Sequence, residues 1–227
     1  MTSVRLGILG GTFDPIHFGH LDAADAASAA LGLDQIVLVP AHDQPLRAVE
    51  PRASVYHRFA LAVLGVEDRP ECHVSDMELL RQGRSYTEDT LRTFHSSGWR
   101  ASHLFFILGS DAFAGIAAWH GYPGFLDLAH FAVIARPGVG IEDATSQTPE
   151  LRSRIVPVPR DHVSNDGPTR IFLVHAHTRD VSSTMIRERL PSGQPIDELV
   201  PPAVARHIHK HHLYRAVDSL HGEDERI

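Results

Sequence analysis

The chain has 227 residues, 43% apolar and 22% charged, a balance that supports a buried core and excludes wholesale disorder. Its net charge of -7, from 21 basic against 28 acidic residues, excludes a surface built to coat nucleic acid or an anionic membrane, so an anionic ligand needs a local arrangement to hold it. Cys72 is the only cysteine and Lys210 the only lysine, which rules out an internal disulfide, a multi-cysteine zinc site and a P-loop.

No apolar run approaches the ~18 residues of a spanning helix, and the first residues lead straight into a strand-like run rather than a signal-peptide pattern. A soluble, cytoplasmic protein without a membrane partner is expected.

Short apolar runs alternate with longer mixed segments, the pattern of an α/β fold with a Rossmann-like, doubly wound parallel sheet. Predicted strands are Val4 to Leu9, Gln35 to Val39, Cys72 to Ser75, His103 to Leu108, Phe131 to Ala135 and Ile171 to Val174. The alanine-rich Gly19 to Leu31 reads as the first crossover helix, stopped by Gly32. Ser54 to Leu64 reads as the second, and a third starts at Ser85, where Ser-x-x-Glu with Glu88 forms a capping-box pattern. Residues 137–170 are rich in Pro, Gly, Ser, Thr and Asp and read as a loop-rich insertion, with room for a short helix or strand. Thr184 to Leu190 and Pro202 to His212 form a small helical C-terminal part. Residues 1–215 are thus expected to make a single domain, followed by a flexible tail, 216–227.

The most informative stretch follows the first strand: Gly10-Gly11-Thr12-Phe13-Asp14-Pro15-Ile16-His17-Phe18-Gly19-His20. Glycines after a first strand let backbone approach a ligand at the carboxyl ends of a parallel sheet, which points to a nucleotide. The pattern is not G-x-G-x-x-G. In its place stands H-x-x-H, whose spacing turns His17 and His20 toward one space over a helix start, where free amides favour anions. A plainer reading, with the glycines as a tight turn and His20 as a satisfied side chain, has at least equal standing for an isolated H-x-x-H. Later, Ser182-Ser183-Thr184-Met185-Ile186-Arg187 follows a strand and opens a helix, gathering hydroxyls, amides and a guanidinium at a second anion-friendly terminus.

The first string resembles the G-x-F-D-P-x-H-x-G-H signature of the nucleotidyltransferase superfamily, and the second resembles that superfamily's other signature. Between them, Glu78-Leu79-Leu80-Arg81 with Gly83, Ser85-Tyr86-Thr87 with Thr90-Leu91, Gly109-Ser110-Asp111, Trp119, Arg136-Pro137-Gly138 and the closing Leu213-Tyr214 are similar, nearly end to end, to bacterial nicotinate-nucleotide adenylyltransferases. The resemblance implies a nucleotidyltransferase-type sheet and adenylyl transfer from ATP to nicotinate mononucleotide, with Mg²⁺ accompanying ATP, no metal held by the protein itself, and no nucleic-acid partner. It implies ATP contacts from Gly10, Gly11, Thr12, His17, His20, Gly109, Asp111, Ser183, Thr184 and Arg187, with His17, His20 and Arg187 as the catalytic group. It implies mononucleotide contacts from Tyr86, Thr87, Trp119 and Arg47, the amides near Tyr86 and Thr87 receiving the nicotinate carboxylate and Trp119 stacking on the pyridine. Taken singly, Trp119 reads as core.

One departure stands out. The family usually carries a P-P-H-K-like loop after strand two, and here the run is Pro40-Ala41-His42-Asp43-Gln44-Pro45-Leu46-Arg47, with Leu46 in place of the histidine. Arg47 can serve as the cation, and His42 compensates only if the loop bends differently. The nearest rival in the same chemistry is pantetheine-phosphate adenylyltransferase, and a nucleotide-binding regulator without catalysis is a second alternative. His207 and His211 have the i,i+4 spacing of a metal pair but are read as a polar helix face. The sequence leaves the oligomeric state open, including a homo-oligomer.

Overall fold

A computed structural model describes residues 4–46, 49–81, 83–135, 140–158 and 167–215. At its centre, Leu6 to Leu9 are buried, as a strand covered on both faces requires. This strand, β1 (Leu6–Gly11), is joined by β2 (Gln35–Pro40), β3 (Cys72–Val74), β4 (Leu104–Gly109), β5 (His130–Ala135), β6 (Ile155–Val156) and β7 (Ile171–His175). They form one all-parallel sheet in the order β3-β2-β1-β4-β5-β7-β6. The helices are α1 (Phe18–Leu31), α2 (Val55–Gly65), α3 (Met77–Leu80), α4 (Thr87–Ser96), α5 (Ser110–Ala114), α6 (Ile141–Ala144), α7 (Ser183–Arg189) and α8 (Pro202–Lys210). Among the described residues no helix is long and apolar enough to cross a membrane.

Alternate side chains of each strand feed two apolar layers. Leu9, Phe105 and Ile107 pack with Leu21 of α1, Leu61 of α2, Ile186 of α7 and Ile208 of α8. On the other face Ile8, Phe106 and Leu108 pack with Leu91 and Phe94 of α4 and Phe113 of α5. The expected doubly wound architecture is therefore present, and α1 ends where predicted, with Gly32 in the left-handed region (φ 62°).

One local expectation fails. The predicted capping box at Ser85 and Glu88 does not form: α4 begins at Thr87, its N-cap is Tyr86, and no side chain caps it. The Ser85 hydroxyl instead accepts the His42 N–H at 2.9 Å, and Glu88 pairs with Arg92 at 2.7 Å, so the loop after β2 takes the hydroxyl that the helix start would have used. In the segment read as loop-rich, α6 and a 3₁₀ stretch (Pro149–Arg154) lead into β6, which extends the sheet through Ile155 beside Ile171. A two-residue edge strand carries too little alternation to stand out from sequence.

The strand order places the site. The chain leaves β1 for β2 on one side and returns later as β4 on the other, with Leu9 beside both Leu38 and Ile107. Ligands of such sheets bind where the order reverses, beyond the carboxyl ends of the strands. Here those ends are Gly10-Gly11 and Gly109.

Candidate active site

A cavity of about 440 Å³ opens at this reversal, lined by Gly10, Gly11, His17, His20, Gly109 and Asp111 among others. At Gly19 a side chain would meet the His17 ring at 3.1 Å and the Val181 carbonyl at 3.2 Å, so glycine lets the loop before α7 close onto the start of α1. Thr12 is buried and lines neither cavity; its hydroxyl donates to Oε1 of Gln44, which does line the first, at 2.6 Å.

His17 and His20 stack with ring centroids 3.7 Å apart, and the His17 backbone N–H donates to His20 Nδ1 at 3.2 Å. His17 is 7% exposed, and among the described residues its buried Nδ1 has no hydrogen-bond partner. Burial lowers the His17 pKa to about 4, while burial and the neighbouring His17 take that of His20 well below its ordinary value. Both rings are therefore neutral at pH 7 in the free protein. They stand ready to donate from N–H groups over the positive end of α1, at no cost of carrying a buried charge.

The turn before them, from β1 to α1, is braced from three directions. The Asp14 carboxylate, 1% exposed, accepts the N–H groups of Arg52 and Ala53 at 2.9 and 3.1 Å. Arg58 of α2, also buried, donates Nη1 to the carbonyls of Thr12 at 2.8 Å and Ala41 at 2.6 Å, and Nη2 to that of His42 at 3.2 Å. From α7, Arg187 Nη1 donates to the Asp14 carbonyl at 2.7 Å and Ser183 Oγ to the Pro15 carbonyl at 2.9 Å. The Thr184 hydroxyl accepts from Arg187 Nη2 at 3.0 Å. The structure thus brings Ser183, Thr184 and Arg187 to the first turn but not onto the cavity wall. That wall is reached instead by Arg179, whose guanidinium lies 3.9 Å over the Phe18 ring and 3.6 Å from Asp22.

A second cavity of about 540 Å³ adjoins the first, and Gln44, Thr87, Asp111 and Trp119 face both. Tyr86 lines it, stacked on His120 at 4.3 Å, with His120 Nδ1 3.4 Å from Glu88. Trp119 packs edge-on to Phe106 at 6.1 Å and parallel to Phe125 at 6.0 Å while forming cavity wall. Arg47 lies outside the described residues. Leu46, 60% exposed, lines the second cavity, whereas His42 lines neither, its buried Nδ1 unpartnered and its backbone tied to Ser85 and Arg58.

Gln44, Glu78 and Arg179 are among the residues at the first cavity that carried no sequence assignment to it. Gln44 and Arg179 are single polar residues in loops, without a pattern to mark them. Glu78 belongs to a quoted run, yet only the fold shows that it faces the cavity, accepting the Thr90 hydroxyl, with burial raising its pKa. At α8, His57 Nδ1 and His207 Nε2 are 3.1 Å apart, but among the described residues no three His, Cys, Asp or Glu side chains are arranged to hold a metal.

Residues 8–189 match the family model described as cytidylyltransferase-like. The chain is 40% identical over 215 residues to a probable nicotinate-nucleotide adenylyltransferase of Roseiflexus sp. (strain RS-1), covering 95% of this chain and 100% of the relative. It is 40% identical to the probable nicotinate-nucleotide adenylyltransferase of Herpetosiphon aurantiacus, covering 93% and 99%. In fold it is similar to Plasmodium falciparum nicotinic acid mononucleotide adenylyltransferase complexed with NaAD, with a TM-score of 0.70 at 19% identity over 93% of this chain and 98% of that one.

Proposed function

The chain belongs to the nicotinate-nucleotide adenylyltransferase family, and on that premise we propose that it transfers the adenylyl group of ATP to nicotinate mononucleotide, giving nicotinate adenine dinucleotide and pyrophosphate in NAD synthesis. The observation that carries this reading is the pair of adjoining cavities. One lies over a helix start with two neutral imidazoles, the other has aromatic walls, and Gln44, Thr87, Asp111 and Trp119 stand where they meet. Two phosphorylated substrates laid in these cavities would bring their phosphates together over the start of α1, beside His17 and His20.

The nucleophile is the 5′-phosphate of the mononucleotide, anionic at neutral pH, so no base is needed to create it. Its oxygen bonds to the α-phosphorus as the bond from that phosphorus to the bridging oxygen of the β-phosphate breaks, and pyrophosphate leaves with the electron pair. No covalent enzyme intermediate arises. The work is positioning and stabilising charge, which falls to His17, His20, Thr12 and the amides of Gly10 and Gly11, with Ser183, Thr184 and Arg187 at the β/γ end. Because Arg187 and Ser183 hold carbonyls of the first turn in the free protein, contact with phosphate requires their donors to be redirected or shared. Mg²⁺ accompanying ATP would neutralise phosphate charge, held mostly by phosphate oxygens and water rather than by side chains of the protein.

The test is a panel of nucleophiles offered with ATP and read as adenylylated product. Nicotinate mononucleotide is expected to be preferred to nicotinamide mononucleotide, because an amide-lined helix start beside the aromatic wall favours an acid. Equal use of the two would remove the specificity claim; turnover of phosphopantetheine alone would overturn the reading.

A further inference from the structure

Around the paired cavities the arginines on described residues are mostly held by acids of the protein itself. Arg81 lies 3.8 and 3.9 Å from Glu78 and Asp89, Arg92 pairs with Glu88, and Arg179 pairs with Asp22. Arg84 differs. It is exposed, lines the second cavity beside Tyr86 and Leu46, and among the described residues has no hydrogen bond or ion pair. In a chain of net charge -7, a guanidinium at a cavity mouth with no carboxylate to neutralise it is a place where an anion gains most and where nothing must first be broken. The same wall offers flat aromatic surface from Tyr86 and Trp119, so the ligand that fits is an aromatic ring carrying acidic groups.

We propose that Arg84 is a substrate-binding residue that holds an anionic group of the non-ATP substrate in the second cavity; this rests on the functional reading above and deepens it. The mononucleotide offers two such groups, the ring carboxylate and the 5′-phosphate, which share the chemistry of a bidentate oxyanion. A guanidinium at an exposed mouth contributes an interaction on the order of tenfold in affinity.

Binding of nicotinate mononucleotide and nicotinamide mononucleotide to wild type, Arg84→Ala and Arg84→Lys is measured by calorimetry, together with KM for each substrate. Arg84→Ala is expected to weaken nicotinate mononucleotide about tenfold, to leave the KM of ATP within about twofold, and to be rescued in part by Arg84→Lys, as for a charge contact. A loss confined to the acid assigns Arg84 to the carboxylate, and an equal loss for acid and amide assigns it to the phosphate; either supports the proposal. Wild-type affinity in Arg84→Ala, or a parallel loss for ATP, overturns it while leaving the functional reading intact. A wild type that binds neither mononucleotide overturns both.

Discussion

The Arg187 guanidinium donates to the Asp14 carbonyl at 2.7 Å, joining residues 173 apart in sequence and fastening the late helix α7 to the turn after β1. One side chain therefore ties together the two segments that the proposed chemistry needs side by side. Arg187→Ala removes both a brace on the turn and a cation for the β/γ-phosphates, and is expected to raise KM for ATP about tenfold or more while lowering kcat. Arg187→Lys keeps the charge but not the fork that reaches the Asp14 carbonyl and Thr184 together, so it should recover only part of the loss. Steady-state kinetics with each substrate varied in turn checks this, and an unchanged ATP dependence in Arg187→Ala would contradict it.

The stacked imidazoles are neutral in the free enzyme, and a polyphosphate beside them favours their charged form. ATP binding should therefore raise their pKa and draw protons from solution near pH 6. Calorimetry at pH 6 in buffers of different ionisation enthalpy should show proton uptake that falls in His17→Asn. In turnover, His20→Ala is expected to cost on the order of 10²–10³, as for removal of one preorganised donor. Near-normal kcat in that variant would withdraw His20 from the proposed chemistry.

Much of this arrangement is legible in the sequence, because its strongest signals are local. The Gly10-Gly11 turn, the His17/His20 spacing and the Ser182 cap, which accepts the Met185 N–H at 3.1 Å, each lie within a few residues, and the strand runs set the parallel sheet. What escapes is set by long-range competition. Ser85 fits a capping pattern, but its hydroxyl is taken by the His42 N–H from another loop, and α4 starts uncapped. Gln44, Glu78 and Arg179 reach the cavity only because the sheet brings the segments after β2, β3 and β7 to one edge. Arg58 is the extreme case: in sequence it is an ordinary arginine in a helix, and in the fold it is 1% exposed.

That burial makes Arg58 a positioning residue with a measurable signature. Its guanidinium serves the carbonyls of Thr12, Ala41 and His42 at once, so it sets the spacing between the loops after β1 and β2. Arg58→Met fills similar volume but leaves those carbonyls without this donor, at an expected cost of about 3–5 kcal/mol. Urea unfolding measures the loss. At temperatures where the variant remains folded, KM should rise for both substrates, since both cavities touch these loops. A stable variant with normal kinetics would show that the loops are held by something else.

Acid should loosen the protein, and the sign follows from burial. His17 and His130 have pKa values lowered to about 4, in each case mainly by burial, and His130 Nδ1 accepts the Arg170 N–H at 2.9 Å, a role its protonated form cannot keep. Unfolded, both titrate near the ordinary histidine value, so below it the unfolded chain binds more protons and stability falls with pH. The contribution is complete above the unfolded value and is lost progressively as pH drops toward the folded one. Between about pH 6.5 and 5 each imidazole costs up to ~2 kcal/mol. His130→Asn retains an acceptor but cannot take up the proton, so its urea midpoint should change less between pH 7 and pH 5 than that of wild type. Parallel slopes for the two proteins would show that His130 does not titrate in this range, and that the acid sensitivity lies elsewhere.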